Sequence, residues 1–131
     1  MKTKKNKRKF RVLLVDDDID AAGILSQLLD VHGLETLCMT ALSSLMQIKD
    51  YAPDVVLLDL DMPGMSGFEV ATAIRKTEGI GEIGIFALSG WSDAEVREQC
   101  KNLGFDGFFA KQTPLDDIIA AIMEYTRFAQ E

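Results

Sequence analysis

The sequence is poor in the residues that staple, span or ligate. It has only two cysteines, Cys38 and Cys100, 62 positions apart. They form no CxxC pair, give no basis for a disulfide framework, and suit a reduced, cytoplasmic chain. No apolar run approaches the roughly 18 residues of a membrane span, which excludes a transmembrane architecture. The basic start is followed by no apolar signal-peptide core, so no secretion signal is expected. No GxxxxGK[ST] occurs, so there is no P-loop. The single GxGxxG match, Gly79 to Gly84, precedes an expected strand instead of following one, so it reads as a connection, not a dinucleotide fingerprint. The lone histidine, His32, has no metal partners in its vicinity and reads as a helix-end residue.

What is present is an ordinary globular composition. The 131 residues are 47% hydrophobic and 27% charged, with a net charge of −7. That excludes wholesale disorder and fits one domain that buries most of its core without staples. The charge is unevenly spread. Seven of the 14 basic residues fall in the first 11 positions, and every acid lies after them. Residues 1–10 therefore read as a solvated basic tail ahead of one domain over 11–131. A body this acidic extends no basic patch, so no nucleic acid partner is expected for the core.

Short apolar segments alternate with longer ones of helical spacing. Segments 11–15, 34–38, 54–58, 83–88 and 107–110 are apolar and β-branched or aromatic enough for strands. The first helix is expected over 18–32, with Gly33 as its stop, and the second over 42–49. Ser66-Gly67-Phe68-Glu69 and Ser92-Asp93-Ala94-Glu95 are capping boxes, and Thr113-Pro114 resembles a helix start with proline at the first position. They begin helices expected over 67–78, 92–103 and 114–129. Five strands alternating with five helices predict βαβ crossovers, hence an α/β fold with a doubly wound parallel sheet.

In such a sheet ligands bind beyond the carboxyl ends of the strands. There stand Asp16, Asp17 and Asp18 after the first strand, Asp59 and Asp61 after the third, Ser89 after the fourth and Lys111 after the fifth. Carboxylates this close cannot all ionise cheaply without a positive partner. Magnesium suits them, because it takes oxygen ligands and keeps sites for water and phosphate. Metal, ammonium and hydroxyl together favour a phosphoryl group, and an aspartate can be its nucleophile. Each residue alone has an ordinary reading as cap, loop or surface; their joint placement at four strand ends points to phosphoryl transfer onto an aspartate.

Four blocks carry a family resemblance: Val12-Leu13-Leu14-Val15-Asp16-Asp17, then Asp59-Leu60-Asp61-Met62-Pro63-Gly64-Met65-Ser66-Gly67, then Ala87-Leu88-Ser89-Gly90, then Phe108-Phe109-Ala110-Lys111. Over residues 11–128 the chain resembles the receiver domain of bacterial two-component response regulators. The resemblance implies a flavodoxin-like (βα)5 fold with strand order 2-1-3-4-5. It implies Asp59 as phosphoacceptor from a phosphohistidine of a sensor histidine kinase or histidine phosphotransfer protein. Asp16, Asp17, Asp59 and the backbone carbonyl of Asp61 would hold Mg2+. Ser89 and Lys111 would each take a phosphoryl oxygen. Phe108 matches an aromatic switch that turns inward when Ser89 moves, coupling the site to a face built from the fourth helix, fifth strand and fifth helix, where a downstream protein would bind. Such a domain catalyses its own phosphorylation and dephosphorylation and is not a classical turnover enzyme.

Two departures stand out. The family usually has proline after the lysine; here it is Gln112, so a trans bond is expected. Asp61 and Trp91 lie two residues past Asp59 and Ser89, at positions that in the family border the path of the hydrolytic water. Asp59-Leu60-Asp61 also resembles the DxD pair of haloacid-dehalogenase-like phosphatases, but that family opens with DxD and ends with its acidic pair, the reverse of the order here. A degenerate receiver that binds partners without phosphorylation is the third reading, and the intact Asp16, Asp17, Asp59, Ser89 and Lys111 argue against it. With the last helix expected to end near Glu131, no output domain is expected in this chain.

Overall fold

A computed structural model describes residues 9–62, 64–80, 82–90 and 94–130, the last three by backbone only. Most of the basic tail (1–8), Pro63, Gly81, Trp91 and the first two residues of the Ser92 capping box lie outside the described residues.

The elements run β1 (Arg11–Val15), α1 (Ile19–Val31), β2 (Glu35–Met39), α2 (Ala41–Tyr51), β3 (Val55–Asp59), α3 (Gly67–Lys76), β4 (Gly84–Ser89), α4 (Ala94–Asn102), β5 (Gly107–Ala110) and α5 (Leu115–Gln130). All strand pairs are parallel, in the order β2-β1-β3-β4-β5. This is the doubly wound parallel sheet expected from the alternation, in the flavodoxin-like strand order that the resemblance implied. β1 and β3 lie inside the sheet with helices on both faces, which is why they carry no polar alternation. Val12, Leu14, Leu57 and Phe86 pack with Leu25 and Leu29 of α1 and Ile118 and Ile122 of α5. Leu13, Val15, Val56, Leu58 and Ile85 point the other way, toward Ile48 of α2 and Val70 and Ile74 of α3.

The ladder moves three strands from their expected places. β2, β3 and β4 each start and end one residue later than the apolar runs suggest, so Asp59 and Ser89 are the last residues of strands, not the first of loops. Their register fixes them: Asp59 lies opposite Leu88 and Ser89 opposite Ala110. α5 begins at Leu115, with the Pro114 carbonyl accepting from the Asp117 and Ile118 amides, one position later than the proline implied. α2 is longer than expected at both ends. The Ser66 capping box forms as read: the Glu69 amide donates to Ser66 Oγ at 3.2 Å and the Ser66 amide to Glu69 Oε1 at 2.9 Å.

At the amino ends of the strands, side chains tie the main chain together. The Arg11 amide donates to Asp54 Oδ2 at 2.9 Å and its Nη1 to the Tyr51 carbonyl at 2.6 Å. The Ile85 amide donates to Asp106 Oδ2 at 2.8 Å. Arg75 donates to the carbonyls of Ile83 and Gly104 at 2.8 and 2.9 Å. The Phe10 ring already packs on the core, and its carbonyl accepts from Glu35 ahead of β1. Among the described residues no helix is long and apolar enough to cross a membrane, and no peptide bond is cis.

Candidate functional site

The carboxyl ends of β1, β3, β4 and β5 converge on one acidic cleft of about 550 Å3, which Asp16, Asp17, Asp59, Asp61 and Lys111 line together. Asp59 is the buried member, 2% exposed. Its Oδ1 meets Lys111 Nζ at 3.0 Å and accepts the Asp61 amide at 2.9 Å. Carboxylate oxygens of Asp16, Asp17 and Asp59 lie within 4.8 Å of one another. Asp18 stands apart from them in role: it caps α1, accepting from the Ala21 amide at 3.2 Å, while its own amide donates to Asp16 Oδ1 at 2.9 Å. Of the three consecutive aspartates, two thus face Asp59 and the third starts a helix.

The electrostatics follow from burial and crowding. Burial pushes the Asp16 carboxyl up to about 7, and Asp59 adds to the rise; the Asp18 amide and Lys111 oppose it without cancelling it. Burial works against the Lys111 charge as well, but the combined pull of Asp59, Asp61 and Asp16 outweighs it and holds that ammonium above its usual range. One lysine therefore does not neutralise the cluster. The donor set is oxygen only, partly buried and over-negative, which fits a hard divalent cation better than a thiol- or imidazole-seeking metal.

Ser89 is buried and donates from Oγ to Asp61 Oδ1 at 3.1 Å. The Gly90 amide donates to Asp61 Oδ2 at 2.7 Å, and Lys111 Nζ stands 3.5 Å from the same oxygen. The sequence reading gave Asp61 a backbone carbonyl role and a place beside water; it missed this side-chain role, because nothing in the local sequence tells which way the carboxylate turns. Phe108 is half-buried beside Leu60, Ala87 and Cys100, with the Arg97 guanidinium of α4 over its ring at 4.9 Å. Arg97 is a second residue that the sequence reading did not single out. His32 behaves as expected at a helix end, its Nδ1 lying 2.9 Å from the Leu28 carbonyl.

The cleft can hold a hard cation, present one buried carboxylate to an electrophile and offer three donors to an anion. Known proteins share the fold and the sequence pattern. Residues 12–123 match the response regulator receiver domain family. The chain is 30% identical over 115 residues to the DNA-binding transcriptional activator EvgA of Escherichia coli, covering 86% of this chain and 55% of EvgA, so it spans about half of that relative. It is 28% identical over 117 residues to sporulation initiation phosphotransferase F of Bacillus subtilis, covering 88% of this chain and 92% of the relative. A CheY-like receiver domain from Methanospirillum hungatei superposes with a TM-score of 0.79 at 26% identity, over 90% of this chain and 94% of that one. A match over most of the chain, joined to the strand order and the acidic cleft, makes this protein a member of the response regulator receiver domain family.

Proposed function

We propose that the chain accepts a phosphoryl group from a phosphohistidine onto Asp59, with a divalent cation bound beside it. The observation that carries this reading is the buried Asp59 carboxylate at the tip of β3, ion-paired to Lys111 and within reach of Asp16 and Asp17. Mg2+ would be held by Asp16, Asp17, Asp59 and the Asp61 carbonyl; when bound it supplies positive charge to the oxygens of the transferring group. The chain's own residues do the rest. Asp59, fixed in the ladder opposite Leu88, presents its oxygen to phosphorus. Lys111 and Ser89 take the phosphoryl oxygens as charge redistributes. Residues 11–131 form the receiver, with 1–10 as a basic tail.

The output is a shift between two states of the α4-β5-α5 face. Phe108 stands on β5, within that face and paired with Ala87 two positions before Ser89, so it suits the role of relay. A phosphoryl group that binds one state better moves the population toward it. The donor is a sensor histidine kinase or histidine phosphotransfer protein, and the reader of the switched face is another protein. The likeness to a phosphotransferase of nearly equal matched length supports a shuttle in a phosphorelay. Cytoplasmic action follows from such a donor.

Intact-mass measurement with acetyl phosphate, with and without Mg2+, tests the reading. The expected result is a gain of one phosphate that needs Mg2+ and disappears in Asp59→Ala. Full phosphorylation of Asp59→Ala would reassign the acceptor.

A further inference from the structure

Two donors that the proposed reaction requires, Ser89 and Lys111, and the Gly90 amide beside them meet one side chain, Lys111 also pairing with Asp59 at 3.0 Å. The Ser89 hydroxyl donates to Asp61 Oδ1 at 3.1 Å, the Gly90 amide to Asp61 Oδ2 at 2.7 Å, and Lys111 Nζ lies 3.5 Å from that Oδ2. They come from two different strand ends and converge on the two oxygens of one carboxylate. A phosphoryl group bound to Asp59 needs the same hydroxyl and ammonium for its equatorial oxygens. A carboxylate that presents two anionic oxygens to this donor set stands in for two of those three.

We propose that the Asp61 side chain is a built-in competitor of the phosphoryl group: it occupies the oxyanion donors of the unphosphorylated chain and must turn away before they serve the reaction. This deepens the reading of Asp59 as acceptor and rests on it. Two features make the exchange feasible. The Asp61 side chain is about a quarter exposed, so it has solvent to turn into. Its main chain is held separately, by the hydrogen bond its amide donates to Asp59 Oδ1, so the side chain can swing without moving the carbonyl proposed to face the cation. Asp61 acts through the donors it holds and is a positioning residue.

In the reaction that tests this, an Asp59 carboxylate oxygen forms a bond to phosphorus of acetyl phosphate, the bond between phosphorus and the acetyl oxygen breaks, and acetate leaves with the electron pair. Asp61→Asn keeps the shape but removes the charge that binds Lys111 and repels the donor. Charge-assisted hydrogen bonds outweigh neutral ones, so at saturating Mg2+ and low acetyl phosphate the variant should gain phosphate at least about tenfold faster than wild type, with a lower half-saturating donor concentration. Beryllofluoride should bind it correspondingly tighter. The Gly90 amide resonance, read by 15N–1H spectra, should move on substitution and should reach nearly the same position in both chains once beryllofluoride is bound. A merely structural role for Asp61 would shift the melting temperature without changing the donor dependence. Equal or slower phosphorylation of Asp61→Asn, or an unmoved Gly90 resonance, overturns the competitor. If neither chain gains phosphate, the Asp59 reading fails and this one with it; if both gain it at equal rates, Asp59 stands and Asp61 alone is refuted.

Discussion

Gly67→Ala probes the contact that seats α3 against the end of β3 at Asp59 and Leu60. Gly67 is the first residue of α3, and a Cβ built there would stand 2.6 Å from the Asp59 carbonyl oxygen, 2.6 Å from Leu60 Cδ2 and 2.7 Å from Leu60 Cα. Two of those three atoms are main chain, so no rotamer change relieves the clash; the helix start or the end of β3 must move by several tenths of an ångström. Overpacking of this kind costs about 1–3 kcal/mol. Alanine recovers at most about 1 kcal/mol of helix propensity over glycine, and less in a first turn. The clash wins, and the net loss of about 1–2 kcal/mol should lower the melting temperature by roughly 4–8 °C. Gly23→Ala is the internal control. Gly23 lies inside α1 with nothing within 4 Å of a built Cβ, so the same change there should stabilise by about 0.5–1 kcal/mol. Urea unfolding of both variants measures the two signs, and the folded Gly67→Ala chain should also take up phosphate more slowly because Asp59 is displaced. A Gly67→Ala chain as stable as wild type, moving in the same direction as Gly23→Ala, would refute the reasoning.

Further outcomes follow from other contacts. Leu58→Ala removes a fully buried side chain of β3 and should cost about 3–5 kcal/mol by urea unfolding, with the cost tracking how little the surrounding sheet and helices collapse. Ser66→Ala removes a formed capping box and should cost about 1 kcal/mol, while Ser66→Asp should restore most of it. Burial, helped by Glu35, pushes the Tyr51 phenol up to about 12 from its ordinary 10. The folded chain therefore holds that proton more tightly than the unfolded one; the stability is whole below pH 10 and falls as pH rises through 12. Tyr51→Phe should flatten that alkaline decline, leaving a remainder from Tyr125, which burial also raises.

The order and type of the elements were legible because apolar runs and helical spacing report burial directly. Strand ends were less so. Asp59 and Ser89 are polar and look like the start of loops, yet the ladder carries both to the last position of a strand, and a ladder partner is a non-local fact. The acidic cluster was readable from the rule that strand carboxyl ends gather ligands. The direction of the Asp61 carboxylate was not, since it depends on Ser89, Gly90 and Lys111, some 28 to 50 residues away along the chain. Arg97 over Phe108 escaped for the same reason: a charged helix residue reads as solvated surface until the strand beneath it is placed. Ser66 was legible because its capping box lies within four residues.

The ties of Arg11, Arg75 and Asp106 have a mechanical consequence. They clamp one rim of the sheet, where the strands begin, and the opposite rim holds the acidic cluster and Lys111. The tied rim resembles the spine of a comb, with the strand tips as its teeth. On that picture a displacement at Ser89 or Lys111 would be expected to pass to neighbouring strand tips and the adjoining helices more readily than to the tied rim.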